Sequence, residues 1–163
     1  MEYDPHKHHR RSIRLPGYPY SKPGLYYATF ATHNLEHLFG RIENGEMRLN
    51  ELGKYVRGEW LKTEKLRPNV KMLEFVIMPN HIHAIIELQE LSESNALGID
   101  PGKNSIGAII RGFKGATMKR INQIWGTRGK AVWHRNYYER LVRTEELDRI
   151  QRYIKENPGN WKK

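Results

Sequence analysis

The chain has 163 residues, no cysteine, and 28 Lys plus Arg against 18 Asp plus Glu, a formal net charge of +10. That length suits one domain with a core of its own. The missing cysteine excludes disulfides, thiolate metal sites and cysteine nucleophiles, and the charge favours a polyanionic partner.

Residues 1–24 are rich in His, Arg, Pro and Gly and read as a basic N-terminal arm. Such an arm is either a solvated tail or a strip lying along nucleic-acid backbone. It holds no apolar signal core, and no run in the chain approaches membrane-spanning length. The expectation is a cytoplasmic protein with no membrane partner. Residues 25–163 read as a single domain.

Within that domain, Leu25–Thr32 has strand character. Asn44-Gly45, inside LFGRIENGEMRL, is a two-residue hairpin signal that predicts two short strands around it. Glu51–Arg67 reads as a helix with Leu52, Tyr55, Val56, Trp60 and Leu61 near helical spacing, closed by Pro68. Val70–Met78 and His81–Leu88 are the strongest strands, and Pro79-Asn80 predicts a turn between them.

Gln89–Asn104 reads as a polar connecting loop. Ser105 is a good N-cap for a helix reaching about Trp125, with Gly112 and Gly115 suggesting a bend or a close backbone approach. Residues 126–130 form a turn, and Ala131–Arg143 reads as a last strand. Thr144 is then expected to cap a final helix with Glu145 and Glu146 in its first turn. Helices and antiparallel hairpins in mixed order predict an α+β fold, with the helices covering one face of the sheet.

The chemistry-bearing residues fall on two of these elements. Side chains on a strand alternate between faces, so His81 and His83 point one way and Ile82 points into the core. Two imidazoles, roughly 7 Å apart at Cα by strand rise, can converge on one metal ion. On the last helix, Leu147, Ile150 and Ile154 make an apolar stripe. Tyr153 lies to one side of it, with Asn157 one turn beyond on the same side. Tyr153 can serve as a nucleophile and Asn157 can offer a carbonyl oxygen to the ion. Taken singly, each has an ordinary alternative: a histidine on a strand, a tyrosine at a core edge, an asparagine stopping a helix before Pro158. Arg10, Arg11, Arg14, Arg111, Lys114, Lys119 and Arg120 are candidates for phosphate contacts, against the alternative of solvated surface. His134 and Glu139, on the predicted last strand, read as surface or strand-edge polar residues outside the catalytic set.

Together these features resemble the single-tyrosine HUH transposases, and most closely the branch of REP-associated tyrosine transposases. The resemblance covers about residues 9–161. It rests on HRRSIRLPGYPYSKPGLYYATFAT, HLFGRI, MPNHIHAIIEL, IGAIIRGFKGATMKRIN, WHRNYYERLVRTEEL and RYIKENPGNW in that order. It implies a ferredoxin-like, RRM-like antiparallel sheet with helices packed on it and a C-terminal helix carrying the catalytic Tyr153. It further implies that His81 and His83 bind a divalent ion, Mg²⁺ or Mn²⁺, with Asn157 at the place of the third ligand. Imidazole suits Mn²⁺ better than Mg²⁺. The implied activity is metal-dependent DNA transposition: single-stranded DNA containing hairpins is cut and rejoined through a 5′-phosphotyrosine. The implied assembly is a homodimer or a monomer. Two other readings stand beside it, a non-catalytic nucleic-acid-binding module on the same fold and a nickase of the relaxase or replication-initiator type.

Overall fold

The computed structural model describes residues 22–91 and 104–162. The elements are β1 (Gly24–Ala31), β2 (Gly40–Glu43), β3 (Glu46–Leu49), α1 (Glu51–Leu66), β4 (Val70–Ile77), β5 (His81–Leu88), α2 (Ile106–Trp125), β6 (Tyr138–Val142) and α3 (Leu147–Glu156). Four strands form one sheet in the order β4-β5-β1-β6, every pair antiparallel, and β2 and β3 make a separate hairpin. With the small hairpin set aside, this is the ferredoxin-like βαββαβ order, so the expected α+β fold is the one found.

Alternation along β1 and β5 decides what faces where. Tyr26, Ala28 and Phe30 on β1, with Ile82, Ala84 and Ile86 on β5, join the main core. There Phe30, Trp60, Phe113 and Trp133 meet ring to ring at centroid distances of 5.1–5.6 Å. Helices α1 and α2 supply Trp60 and Phe113 to this face. On the opposite face Tyr27, Val76 and Ile85 pack with Ile150 and Ile154 of α3. The helices therefore cover both faces rather than the one expected. The cause is α3, whose apolar stripe needs a surface that α1 and α2 have left open.

Local signals account for most boundaries. Asn44 and Gly45 take φ values of 52° and 75°, the left-handed pair that a tight two-residue hairpin turn requires. The Asn50 side chain accepts from the Gly53 N–H at 2.9 Å to start α1. Ser105 Oγ accepts from the Ala108 N–H at 3.1 Å to start α2, and Gly126 in the left-handed region ends it. A Cβ on Gly53 would run into the carbonyl of Phe39, so the first turn of α1 lies directly on the chain entering β2.

Three expectations fail locally. The last strand is Tyr138–Val142, not Ala131–Arg143, with a single bridge from Trp133 to Thr32 ahead of it. The Lys114 ammonium donates to the carbonyls of His134 and Asn136 at 3.0 and 3.2 Å, and the Asn136 N–H donates to His134 Nδ1. Two carbonyls that a ladder would use are thus taken by a side chain of α2, and pairing with β1 lapses after the His134 N–H, which donates to the Ala31 carbonyl at 2.8 Å. Thr144 does not cap the final helix. It opens a 3-10 turn in which the Glu146 carboxylate accepts from the Arg143 N–H at 3.0 Å, and α3 begins at Leu147. Gly112 and Gly115 sit in a continuous helix with no backbone pressed against them.

Candidate active site

The site begins on β5, which is paired on both edges and buried along most of its length. His81 and His83 stand side by side on the α3 face, with their Nε2 atoms 3.1 Å apart. Burial holds both below the usual imidazole range. For His83, the neighbouring His81 adds to burial and takes it to about 4. Near neutral pH both rings are uncharged, and an uncharged imidazole is the form that ligates a metal.

The outer nitrogens are held. His81 Nδ1–H donates to Asn80 Oδ1 at 2.6 Å, which leaves the lone pair on Nε2. His83 Nδ1 lies 2.7 Å from the Tyr27 hydroxyl and 2.8 Å from that of Thr29. Thr29 donates to the Tyr27 oxygen at 3.1 Å, so its own lone pairs face Nδ1. This network favours the tautomer of His83 with the proton on Nδ1 and the lone pair on Nε2. Two lone pairs facing each other across 3.1 Å repel unless a proton or cation lies between them. With metal–nitrogen bonds of roughly 2.1 Å, that separation corresponds to two adjacent ligands at about a right angle. The donor chemistry therefore fits a divalent ion. Among the described residues no third His, Cys, Asp or Glu joins the pair, so a further protein ligand would have to be of another type.

Helix α3 lies across this face, anchored by buried Ile150 and Ile154 and by an ion pair between Lys155 and Glu74 at 3.5 Å. It sets the Tyr153 ring edge-on to the His83 ring, with centroids 5.5 Å apart, and leaves that side chain 51% exposed. Asn157 is the C-cap of α3, half-buried, and its backbone N–H donates to the Ile154 carbonyl. Among the described residues its side chain makes no hydrogen bond to either histidine. His81, His83 and Tyr153 are thus brought together, and Asn157 stands one turn further along.

Four other residues at the site carry no obvious flag in the sequence. Tyr27 and Thr29 reach His83 because β1 pairs with β5 in a register that sets Thr29 opposite His83. Trp161 stacks on His81 with centroids 6.0 Å apart and meets His37 edge-on at 5.6 Å. Arg149 is readable in hindsight, since it lies four residues before Tyr153 and so on the same side of α3.

The basic candidates scatter. Arg111, Lys119 and Arg120 are exposed on α2, which covers the sheet face opposite the histidines. Lys114 turns inward onto its two carbonyls, and burial lowers its ammonium to about 8. Arg10, Arg11 and Arg14, like nearly all of the 1–24 arm, lie outside the described residues. His134 lies outside the named strands, exposed, with its N–H donating to the Ala31 carbonyl of β1. Glu139 lies on the edge strand β6, in keeping with the strand-edge reading, but at 2% exposed it is buried and not a surface residue. No helix among the described residues is long and apolar enough to cross a membrane.

The chain is similar to known proteins. The family model described as "Transposase IS200 like" matches residues 46–157. An uncharacterized protein of Haemophilus influenzae Rd is 38% identical over 174 aligned positions, spanning 98% of this chain and 94% of its own length. A REP-associated tyrosine transposase, solved bound to a REP hairpin, has a TM-score of 0.58 at 21% identity over 91% of this chain and 73% of that one. A candidate transposase from Deinococcus radiodurans R1 has a TM-score of 0.53 at 15% identity over 88% of this chain and 96% of that one. At such identities the two structures speak for the fold. By class, then, the chain is a DNA transposase. It belongs to the IS200-like transposase family.

Proposed function

We propose that this protein cuts and rejoins single-stranded DNA containing hairpins, using Tyr153 as nucleophile and a divalent ion, Mg²⁺ or Mn²⁺, held by His81, His83 and Asn157. The observation that carries the reading is the meeting, in one chain, of Tyr153 with a histidine pair whose Nε2 atoms are 3.1 Å apart. The hairpin substrate rests on the REP-associated transposase, which was solved with a REP hairpin.

In this reaction the Tyr153 oxygen bonds to phosphorus as the phenol proton leaves. The bond from phosphorus to the 3′ oxygen breaks, and that oxygen takes up a proton as a free 3′-OH. The 5′ end stays on the protein as a phosphotyrosine, and attack by a DNA 3′-OH reverses the step on the same or another strand. The bound ion supplies Lewis-acid stabilisation of charge on the phosphate oxygens. The chain supplies position: β5 and the Asn80, Tyr27 and Thr29 contacts orient the imidazoles, while α3 presents the phenol to the same face.

We further read residues 1–24 as a basic arm laying Arg10, Arg11 and Arg14 along DNA backbone. Exposed Arg111, Lys119 and Arg120 would take phosphates on the far side of the sheet, and Lys114 could join them only by giving up its two carbonyls. Because the phenol and the histidines meet within one chain, a monomer suffices, acting in the cytoplasm.

The test is a labelled hairpin oligonucleotide with a single-stranded flank, incubated with Mn²⁺ and run on a denaturing gel. A covalent protein–DNA band that disappears with Tyr153→Phe is expected. A shift on a native gel with no covalent band would instead make this a binding module.

A further inference from the structure

A cavity of about 580 Å³ opens beside Tyr153, lined by Tyr27, Thr29, Tyr138, Arg140, Arg149, Ile150 and Tyr153 itself. We propose that it takes one unstacked nucleobase of the DNA single strand, next to the phosphate that Tyr153 attacks. This rests on the reading of Tyr153 given above.

Position is the first argument. Tyr27 and Thr29 are the residues that hold His83 from behind, and Tyr153 is a wall of the same cavity. A strand whose phosphate lies at the histidines therefore has its adjoining nucleotide at the cavity mouth. The volume is within the range of small-ligand sites, roughly 300–1,000 Å³.

The lining supplies the second argument. Tyr138 and Tyr153 are large aromatics left 37% and 51% exposed. Tyr138 meets Tyr27 in an edge-type contact with centroids 6.1 Å apart, and more than a third of it stays exposed at the cavity. Exposed aromatic platforms beside cationic groups are the general means of holding single strands, because every base has a π-face. Arg140 and Arg149 both pair with one carboxylate, Glu146, at 3.0 and 3.4 Å. Two guanidiniums against one carboxylate leave a surplus positive charge at the wall, which suits a nucleotide phosphate and disfavours an apolar ligand. A base inside a duplex is stacked on both sides and cannot enter, so the cavity selects unpaired DNA. It should accept any base and reject a sugar without one.

The experiment uses the full chain as Tyr153→Phe, which keeps DNA uncut, with a hairpin DNA whose single-stranded flank carries 5-iododeoxyuridine in place of thymidine. After irradiation, mass spectrometry should map the crosslink to Tyr138. An otherwise identical DNA with abasic sites through the flank should bind about tenfold more weakly. Tyr138→Leu should remove that difference, and Tyr138→Phe, which keeps the ring, should retain it and also guards against misfolding. Crosslinks confined to aromatic residues outside the cavity, or equal binding of the abasic DNA by the Tyr138 protein, overturn the proposal. The phosphotyrosine reading is judged separately on the wild-type gel: a Tyr138 crosslink without a covalent adduct leaves the base site standing and removes the nucleophile.

Discussion

The ring of Tyr153 stands edge-on to the ring of His83 in the same chain, 5.5 Å between centroids and 70° between planes. Helix α3 is seated there by Ile150 and Ile154 and tied to β4 through Lys155 and Glu74. One chain therefore carries the phenol and the imidazoles on the same sheet face. Mixing Tyr153→Phe protein with a His81→Ala, His83→Ala protein should give no covalent adduct with DNA. Adduct formation in the mixture would mean that the helix serves a partner chain.

Tyr153→Phe alone should abolish the adduct and leave the fold intact. The side chain is half exposed, and among the described residues no hydrogen bond of its hydroxyl supports the core, so the expected change in stability is within about 0.5 kcal/mol. Thermal unfolding and the denaturing gel, run on the same preparation, check both halves.

Metal binding has a readout independent of cleavage. An ion that binds only the folded protein raises its stability, by about 2.7 kcal/mol at a hundredfold excess over Kd. Mn²⁺ should raise the Tm of the wild type and leave that of His81→Ala, His83→Ala unmoved, and a chelator should stop cleavage. An equal rise in both proteins would place the ion elsewhere.

The two hydroxyls behind His83 should matter to the metal rather than to the fold. Outer partners of a ligating histidine typically contribute about 10- to 100-fold in metal affinity. Tyr27→Phe with Thr29→Val removes both acceptors for Nδ1–H, and calorimetric titration with Mn²⁺ should show a loss in that range. Each single variant should lose less, since one hydroxyl remains.

Glu146 makes a prediction about pH. The Arg143 N–H, followed by the Arg140 guanidinium, holds its carboxyl below the usual range. A carboxylate depressed on folding stabilises the protein above its ordinary pKa of about 4.3. That stability is lost as pH falls through the lower folded value. The Tm advantage of the wild type over Glu146→Gln should be steady from pH 7 to 6 and shrink below about pH 4. An advantage that persists undiminished in acid would show that charge is not its source.

Much of this architecture was legible locally. The alternation in LYYATFAT, the Asn44-Gly45 turn and the Ser105 cap act over a few residues, and each appears where its pattern places it. The last strand is shorter than its pattern because Lys114, distant in sequence, reaches over to occupy the carbonyls of His134 and Asn136. The final helix starts at Leu147 and not at a Thr144 cap, because Glu146 reaches back to the Arg143 N–H and also pairs with Arg140. At the site, period-two spacing was enough to pair His81 with His83, and helical spacing was enough to set Tyr153 apart from the apolar stripe. Tyr27 and Thr29 were invisible at that level, since their place beside His83 is a matter of β1–β5 register.

What the sequence alone determined is the kind of element most segments form and the side on which the reactive groups of β5 and α3 project, because backbone period and most capping are short-range. What only the tertiary structure decided is which groups meet: that α3 crosses the sheet face left open by α1 and α2, that Thr29 falls opposite His83, and that the α2 cations end up behind the sheet. Those outcomes depend on how distant apolar surfaces bury one another, and no local pattern encodes the partner.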